Sequence, residues 1–295
     1  MLSELPTPER PFRPGARPLP SLRQAYQEFL LERVEEYKNS LTREELLEIG
    51  DEAVRELEAS AQGQYILTEV LVLEHVDRII ARRLKLPTFR RWVQKHRALR
   101  QAQREPTHWG LAPSHPLVTW ARRRDGGDGG EGGDGGDVAV VVGAGATAEA
   151  MFLAAHEVRV FFLDQELHAV EAAEQRAVTE QLGARFEALV IRFGSWFPDV
   201  LTSLAVIAPA ALAAARVKDR QALLRDLQAR TRPGGLHVVL GAGERPQVLS
   251  LASGALHTAY VQAGWAIERR RGKRDGAFVA TKPPRHADTV LNVSE

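Results

Sequence analysis

The chain has no cysteine among its 295 residues, which excludes disulfides, thiolate metal sites and cysteine nucleophiles. A cytoplasmic location is the plain reading of that absence. Long apolar runs are also missing. The longest, around Val70 to Val72 and Val138 to Val142, fall far short of the roughly 20 residues that span a bilayer, so no membrane insertion is expected. Nor does an apolar run open the chain: residues 1–20 carry Pro6, Pro8, Pro11, Pro14, Pro18 and Pro20, which argues against a secretory signal and for an extended or disordered arm. The formal net charge of +1 excludes little, because it averages regions of opposite character.

What is present is ample core material, with 44% hydrophobic residues over a length that suits two domains. Residues 21–124 read as an all-α domain. Leu22, Tyr26, Phe29, Leu30 and Val34 recur at helical spacing, as do Leu46, Leu47, Val54 and Leu57. Ser40 and Thr42 are candidate caps for the second helix, and Glu45 stands three residues after Thr42 as a capping box requires. The segment Gln64 to Leu86 is apolar on most sides and is expected to be the central helix; Pro87 ends it, and a more basic helix resumes at Thr88.

From Arg78 to Arg124 basic residues accumulate against a single acid, Glu105. This stretch is a candidate surface for RNA or another anionic partner, with Trp92, Trp109 and Trp120 available for stacking. The plain alternative is an arginine-rich solvated face balanced by the acidic helices before it. Residues 125–136, within the run DGGDGGEGGDGGD, read as a linker that has no means of burying apolar surface. Its acids lack the apolar residue that each turn of a calcium-binding repeat needs, so no metal site is expected.

After the linker, residues 137–285 change character, leaving 286–295 as a tail. Val138 to Val142 form a buried-strand pattern that runs into Gly143, Ala144 and Gly145, a helix follows to His156, and a second strand (Val158 to Leu163) closes on Asp164. Glycines let the backbone approach a ligand, and a carboxylate at the end of the second strand can accept hydrogen bonds from ribose hydroxyls. Singly, the glycines suit an ordinary tight turn and Asp164 a helix cap; together they read as a nucleotide site. The remaining elements are a helix (Glu166 to Leu182), strands at Ala188 to Phe193 and Ser203 to Ala208, a helix (about Arg216 to Arg230) and a strand (Leu236 to Leu240). A last helix, Leu249 to Ala263, precedes two short strands, Ile267 to Arg271 and Ala277 to Lys282, which must pair antiparallel. The fold class is therefore α/β, a Rossmann-like doubly wound, mostly parallel sheet with a terminal antiparallel hairpin, preceded by an all-α domain.

The stretch Leu223 to Gly243, with Arg232, Pro233, Gly234 and Gly235 as a turn, and the terminal hairpin together resemble the class I S-adenosylmethionine-dependent methyltransferases. That resemblance implies S-adenosylmethionine as cofactor, with Gly143, Ala144 and Gly145 beneath its methionine and ribose part and Asp164 on the ribose diol. It further implies Gly194, Ser195 and Trp196 at the adenine and Ala208, before Pro209, near the acceptor. The chain departs from the family pattern at Val141 and Thr147, where an acid and a third glycine are usual, and at the Gly194 and Ser195 pair, where an acid is often found. A base for a hydroxyl acceptor would come from scattered histidines such as His108, His115, His156 and His168. Two alternatives stay open: a methyltransferase-like binding or structural module without catalysis, and an NAD-dependent oxidoreductase, since Gly143, Gly145 and Ala148 also fit the dinucleotide fingerprint. The acceptor itself is not legible.

Overall fold

The computed structural model describes residues 21–59, 69–126, 136–241, 256–269 and 277–284, which fall into two compact units, residues 17–100 and 101–295. The expected arm, most of the linker, the start of the last helix, the hairpin turn and the tail lie outside the described residues.

The first unit holds α1 (Leu22–Ser40), α2 (Arg43–Ala59), α3 (Glu69–Arg83) and most of α4 (Phe89–Arg104). Ser21 and Gln24 cap α1 reciprocally. The box expected at Thr42 is present as well, with Glu45 N–H donating to Thr42 Oγ1 at 3.3 Å and Thr42 N–H to Glu45 Oε2 at 2.7 Å. Ser40, the other candidate cap, instead ends α1 and donates to Tyr37 O. The core joins Val34, Ile49, Ala53, Val76, Ile79 and Ile80. Helix α3 is less buried than its composition suggests: Val70 and Leu73 are exposed, because only the Val76, Ile79 and Ile80 face packs into this core.

The second unit is built on a seven-stranded sheet. Its strands are β1 (Val138–Val142), β2 (Arg159–Asp164), β3 (Phe186–Val190), β4 (Thr202–Ile207), β5 (Thr231–Val239), β6 (Ala266–Arg269) and β7 (Phe278–Thr281), in the order β3-β2-β1-β4-β5-β7-β6. The first five run parallel; β7 is antiparallel to both β5 and β6, giving the expected hairpin. Alternating side chains of β1 feed two cores. Ala139 and Val141 face α6 (Thr147–Ala155) and α7 (Leu167–Thr179), while Val140 and Val142 face α8 (Pro209–Ala214), α9 (Val217–Arg230) and the helical residues 256–262. Each such fully buried aliphatic side chain contributes about 1.5–3 kcal/mol relative to exposure.

Three boundaries differ from the sequence reading. Residues 101–125 belong to this unit, not to the helical one: Trp109, and Leu117, Val118 and Ala121 of α5 (Pro116–Asp125), pack with Ala150 and Met151 of α6 in one core. Ile191 and Phe193 lie beyond β3, in a connection without a helix (residues 191–201), where with Phe197 they fill the core over that face. Finally, Arg232 to Gly235 form no free turn but a bulged stretch in the first half of β5, where the pairing with β4 shifts register between Thr202 and Leu204. Gly234 has φ +77°, and its N–H donates to Lys282 O at 2.9 Å while Lys282 N–H donates to Gly235 O at 2.9 Å.

A buried polar chain ties β5 to the last helical stretch. The Tyr260 hydroxyl lies 2.7 Å from His237 Nδ1, His237 Nε2 is 2.7 Å from Thr231 Oγ1, and Thr231 Oγ1 donates to Leu227 O at 2.6 Å. With the threonine proton committed to the carbonyl, His237 Nε2 must donate and Nδ1 must accept from Tyr260, which fixes the neutral tautomer. Burial, then the nearby Lys282 charge, pushes the His237 pKa down from 6.5 to about 3.

Two outcomes follow for this unit. A Cβ at Gly235 would sit 2.4 Å from Thr231 Cγ2 and 2.8 Å from Arg232 O; Gly235→Ala is therefore expected to cost about 1–3 kcal/mol in urea unfolding. An unchanged midpoint would show that the bulge yields. For His237, the unfolded imidazole takes a proton near 6.5 and the folded one resists until about 3, so stability is full above that window and is lost as pH falls through it. Acid titration followed by tryptophan fluorescence, with Trp265 4.4 Å from the imidazole, should show this loss. In His237→Gln the slope should flatten by about one proton.

Candidate functional site

The carboxyl ends of β1, β2 and β4 converge on the loop Gly143–Ala146. β1 ends where Gly143 N–H continues the ladder to Leu163 O at 2.9 Å and Ala208 N–H donates to Val142 O at 2.8 Å. Gly143 takes φ +93°, a conformation that a side chain strains. It is also crowded: a Cβ there would lie 2.7 Å from Ala211 Cβ and 3.0 Å from Ala208 Cβ. Gly143 thus makes room for α8, which begins at Pro209. Ala144 and Gly145 are exposed, and Gly145's nearest would-be contact is Ala208 Cβ at 3.4 Å.

Asp164 closes the other side. Its Oδ2 accepts the Ala144 N–H at 2.8 Å and its Oδ1 the Glu166 N–H at 3.0 Å, so one carboxylate links the glycine loop to the turn after β2. Each oxygen keeps a second acceptor position. The side chain is half-buried, and its remaining acceptor positions could take the two hydroxyl protons of a vicinal diol. The acceptor positions of Asp164, beside Ala144 and Gly145, are chemically compatible with a ribose diol.

The structure brings Gly143, Ala144, Gly145, Asp164 and Ala208 together. Gly194, Ser195 and Trp196 are placed differently. They lie in the β3–β4 connection, tied to the site by Ile191 N–H donating to Asp164 O at 2.8 Å, but Gly194 (φ +81°) backs onto α9, where a Cβ would lie 3.2 Å from Ala222 Cβ. The Ser195 hydroxyl donates to Arg192 O at the surface, and Trp196 is exposed.

The four histidines separate as well. His156 is held between Asp125 Oδ2 and Arg104 O, each at 3.1 Å, after the far end of α6; His108 faces Glu180, and His168 is exposed on α7. His115 is the one at the glycine-loop end: its Nδ1 accepts the Leu117 N–H and caps α5, and its Nε2 lies 3.6 Å from Glu149 Oε1. Glu149 is in the first turn of α6, and burial raises its pKa. The sequence reading passed over Glu149, although a lone acid four residues after Gly145 in an apolar helix was the available signal. Among the described residues no group of three or more His, Asp or Glu could hold a metal ion, and no helix is long and apolar enough to cross a membrane.

No protein-family model matches the chain, and no curated protein matches it. Among solved structures it is similar to an O-methyltransferase family protein from Burkholderia thailandensis, at 15% identity and TM-score 0.39 over 50% of this chain and 52% of that one. It is also similar to an S-adenosylmethionine-dependent methyltransferase from Aquifex aeolicus, at 16% identity and TM-score 0.40 over 49% of this chain and 81% of that one. A third is an O-methyltransferase of neocarzinostatin biosynthesis solved with S-adenosyl-L-homocysteine, at 22% identity and TM-score 0.40 over 50% and 49% of the two chains. The chain spans about half the length of the first of these. All three are methyltransferases, but what the site does is decided by its own residues.

Gly143→Ala should lower the melting temperature, because it combines a positive φ with a Cβ only 2.7 Å from Ala211 Cβ of α8. Gly145→Ala, with no contact inside 3.4 Å, should leave it nearly unchanged. Equal effects of the two would remove the packing role assigned to Gly143.

Proposed function

We propose that the sheet unit binds S-adenosylmethionine across the carboxyl ends of β1 and β2 and transfers its methyl group to an acceptor. The observation that carries this reading is Asp164: a half-buried carboxylate at the end of β2, fixed by the Ala144 N–H of the glycine loop with an acceptor position left on each oxygen. The cofactor would supply a methyl group on a sulfonium, poised for in-line displacement. The protein's part is to hold donor and acceptor in attack geometry and keep water out. Asp164 orients the ribose, and Ala144 and Gly145 offer a floor with no side chain larger than a methyl group. The adenine would lie toward the connection that carries Gly194, Ser195 and Trp196, and the acceptor near Ala208. The helical unit would contribute acceptor or partner specificity, and a cytoplasmic setting suits a cysteine-free chain.

A second reading, cofactor binding without transfer, is favoured by one specific feature. Ala208, Pro209, Ala210 and Ala211 put neither acid nor base at the end of β4, so an acceptor that must lose a proton would have to find its base elsewhere.

Calorimetric titration of the full chain with S-adenosylmethionine, S-adenosylhomocysteine and NADH tests the proposal. The expected result is saturable binding of the two adenosyl ligands only, weakened about tenfold or more in Asp164→Ala as charged hydrogen bonds to the ribose are lost. No binding by the folded wild-type protein would sink the reading. Binding of NADH alone would replace it with a nicotinamide-dependent one.

A further inference from the structure

The ion pairs divide the basic stretch in two. On α3, Arg78 pairs with Glu74, Arg82 with Glu52 and Glu56, and Arg83 with Glu52. Beyond α4, Arg124 pairs with Asp125 and Asp137. Helix α4 differs over most of its length: its sequence FRRWVQKHRALRQAQR contains no acid, Arg104 in its last turn pairs with Glu157, and Arg90, Arg91, Lys95 and Arg97 are exposed with no ion pair among the described residues.

Their placement on the helix is regular. Trp92 is buried, stacked 4.8 Å from His96, and fixes which face turns inward. On the opposite face, at 100° per residue, Arg90 and Arg97 border one side of an exposed Gln94 and Ala98 strip, and Arg91 and Lys95 border the other. Arg90 and Arg97 stand about 10 Å apart along the axis. This arrangement works against the helix itself, since Arg90 and Arg91 occupy the first turn, where the helix dipole favours acids, and Arg91 and Lys95 repel at i,i+4. An anion lying along the face relieves both.

We infer that the exposed face of α4, bordered by Arg90, Arg97, Arg91 and Lys95, binds the phosphate backbone of a nucleic acid. Base stacking by the tryptophans is not part of it: Trp92 and Trp109 are buried, and Trp120 is half-buried with the Arg124 guanidinium over its ring. Contacts are therefore to phosphate, and binding carries little sequence preference. The site is independent of the cofactor site, so either reading can fail without the other.

The test is fluorescence anisotropy of the full chain with a labelled single-stranded RNA and a labelled DNA duplex, each over a salt series. Wild-type affinity should fall steeply with salt. The variant Arg90→Ala/Arg91→Ala/Lys95→Ala/Arg97→Ala should bind at least tenfold more weakly, and its log–log salt slope should be shallower by about 3 with RNA, or 3–4 with duplex, as four phosphate contacts are lost. Which probe binds more tightly identifies the strand form. As a control, Lys218→Ala/Arg225→Ala removes exposed cations of α9 and should leave affinity and slope unchanged. Absence of binding to both probes, an unaltered slope in the α4 variant with circular dichroism intact, or equal weakening by the α9 control would each overturn the proposal.

Discussion

One missing side chain sets the geometry at the top of the sheet. β1 is an interior strand between β2 and β4, buried on both faces, and it must deliver its chain end into a loop that α8 already crowds. At Gly143 a methyl group would overlap Ala211 and Ala208, and the backbone takes a conformation that L side chains resist. With that space left empty, β4 pairs with β1 through to Ala208, α8 starts directly at Pro209, and the loop presents Ala144 N–H to Asp164. The carboxylate is thus a structural strap that keeps an acceptor position open on each oxygen. That dual use explains why it can be oriented without being sequestered.

The opposite edge of the sheet depends on a second crowded glycine and a polar chain. Gly235 lets the bulged first half of β5 fold close to Thr231 and Ser203, and the Tyr260, His237 and Thr231 relay threads through an otherwise apolar core. Such a relay is tolerable only when every member is satisfied, because an orphaned buried donor or acceptor costs about 1–3 kcal/mol. Here each group has one role, and the protonation state follows from the geometry.

Electrostatics separate the helical elements where packing does not. Helices α1 to α3 match their charges internally, with Lys38 bridging Glu35 and Asp77 and the α3 arginines meeting α2 acids. Helix α4 keeps its cations outward while burying Trp92 against Tyr26 and Phe29. A charge count over the whole stretch averages these two situations and conceals the difference between them.

The sequence by itself determined the local and periodic features: the capping box at Thr42 and Glu45, the valine strand before Gly143, the acid at the end of β2, and an antiparallel hairpin at the sheet edge, because two short strands with a short connection can pair in no other way. Each follows from interactions within a few residues or from a strict repeat. Tertiary structure alone decided the rest. Residues 101–125 joined the sheet unit because Trp109, Leu117 and their neighbours share one core with α6 and α7. Arg232 to Gly235 became a bulge because β4 and Lys282 lay beside them. His115 met Glu149, and Gly143 met Ala211, across gaps of 34 and 68 residues in the numbering. Hydrophobic patterning says that a residue is buried but not against what, and the partner settles whether a glycine serves a ligand or a helix.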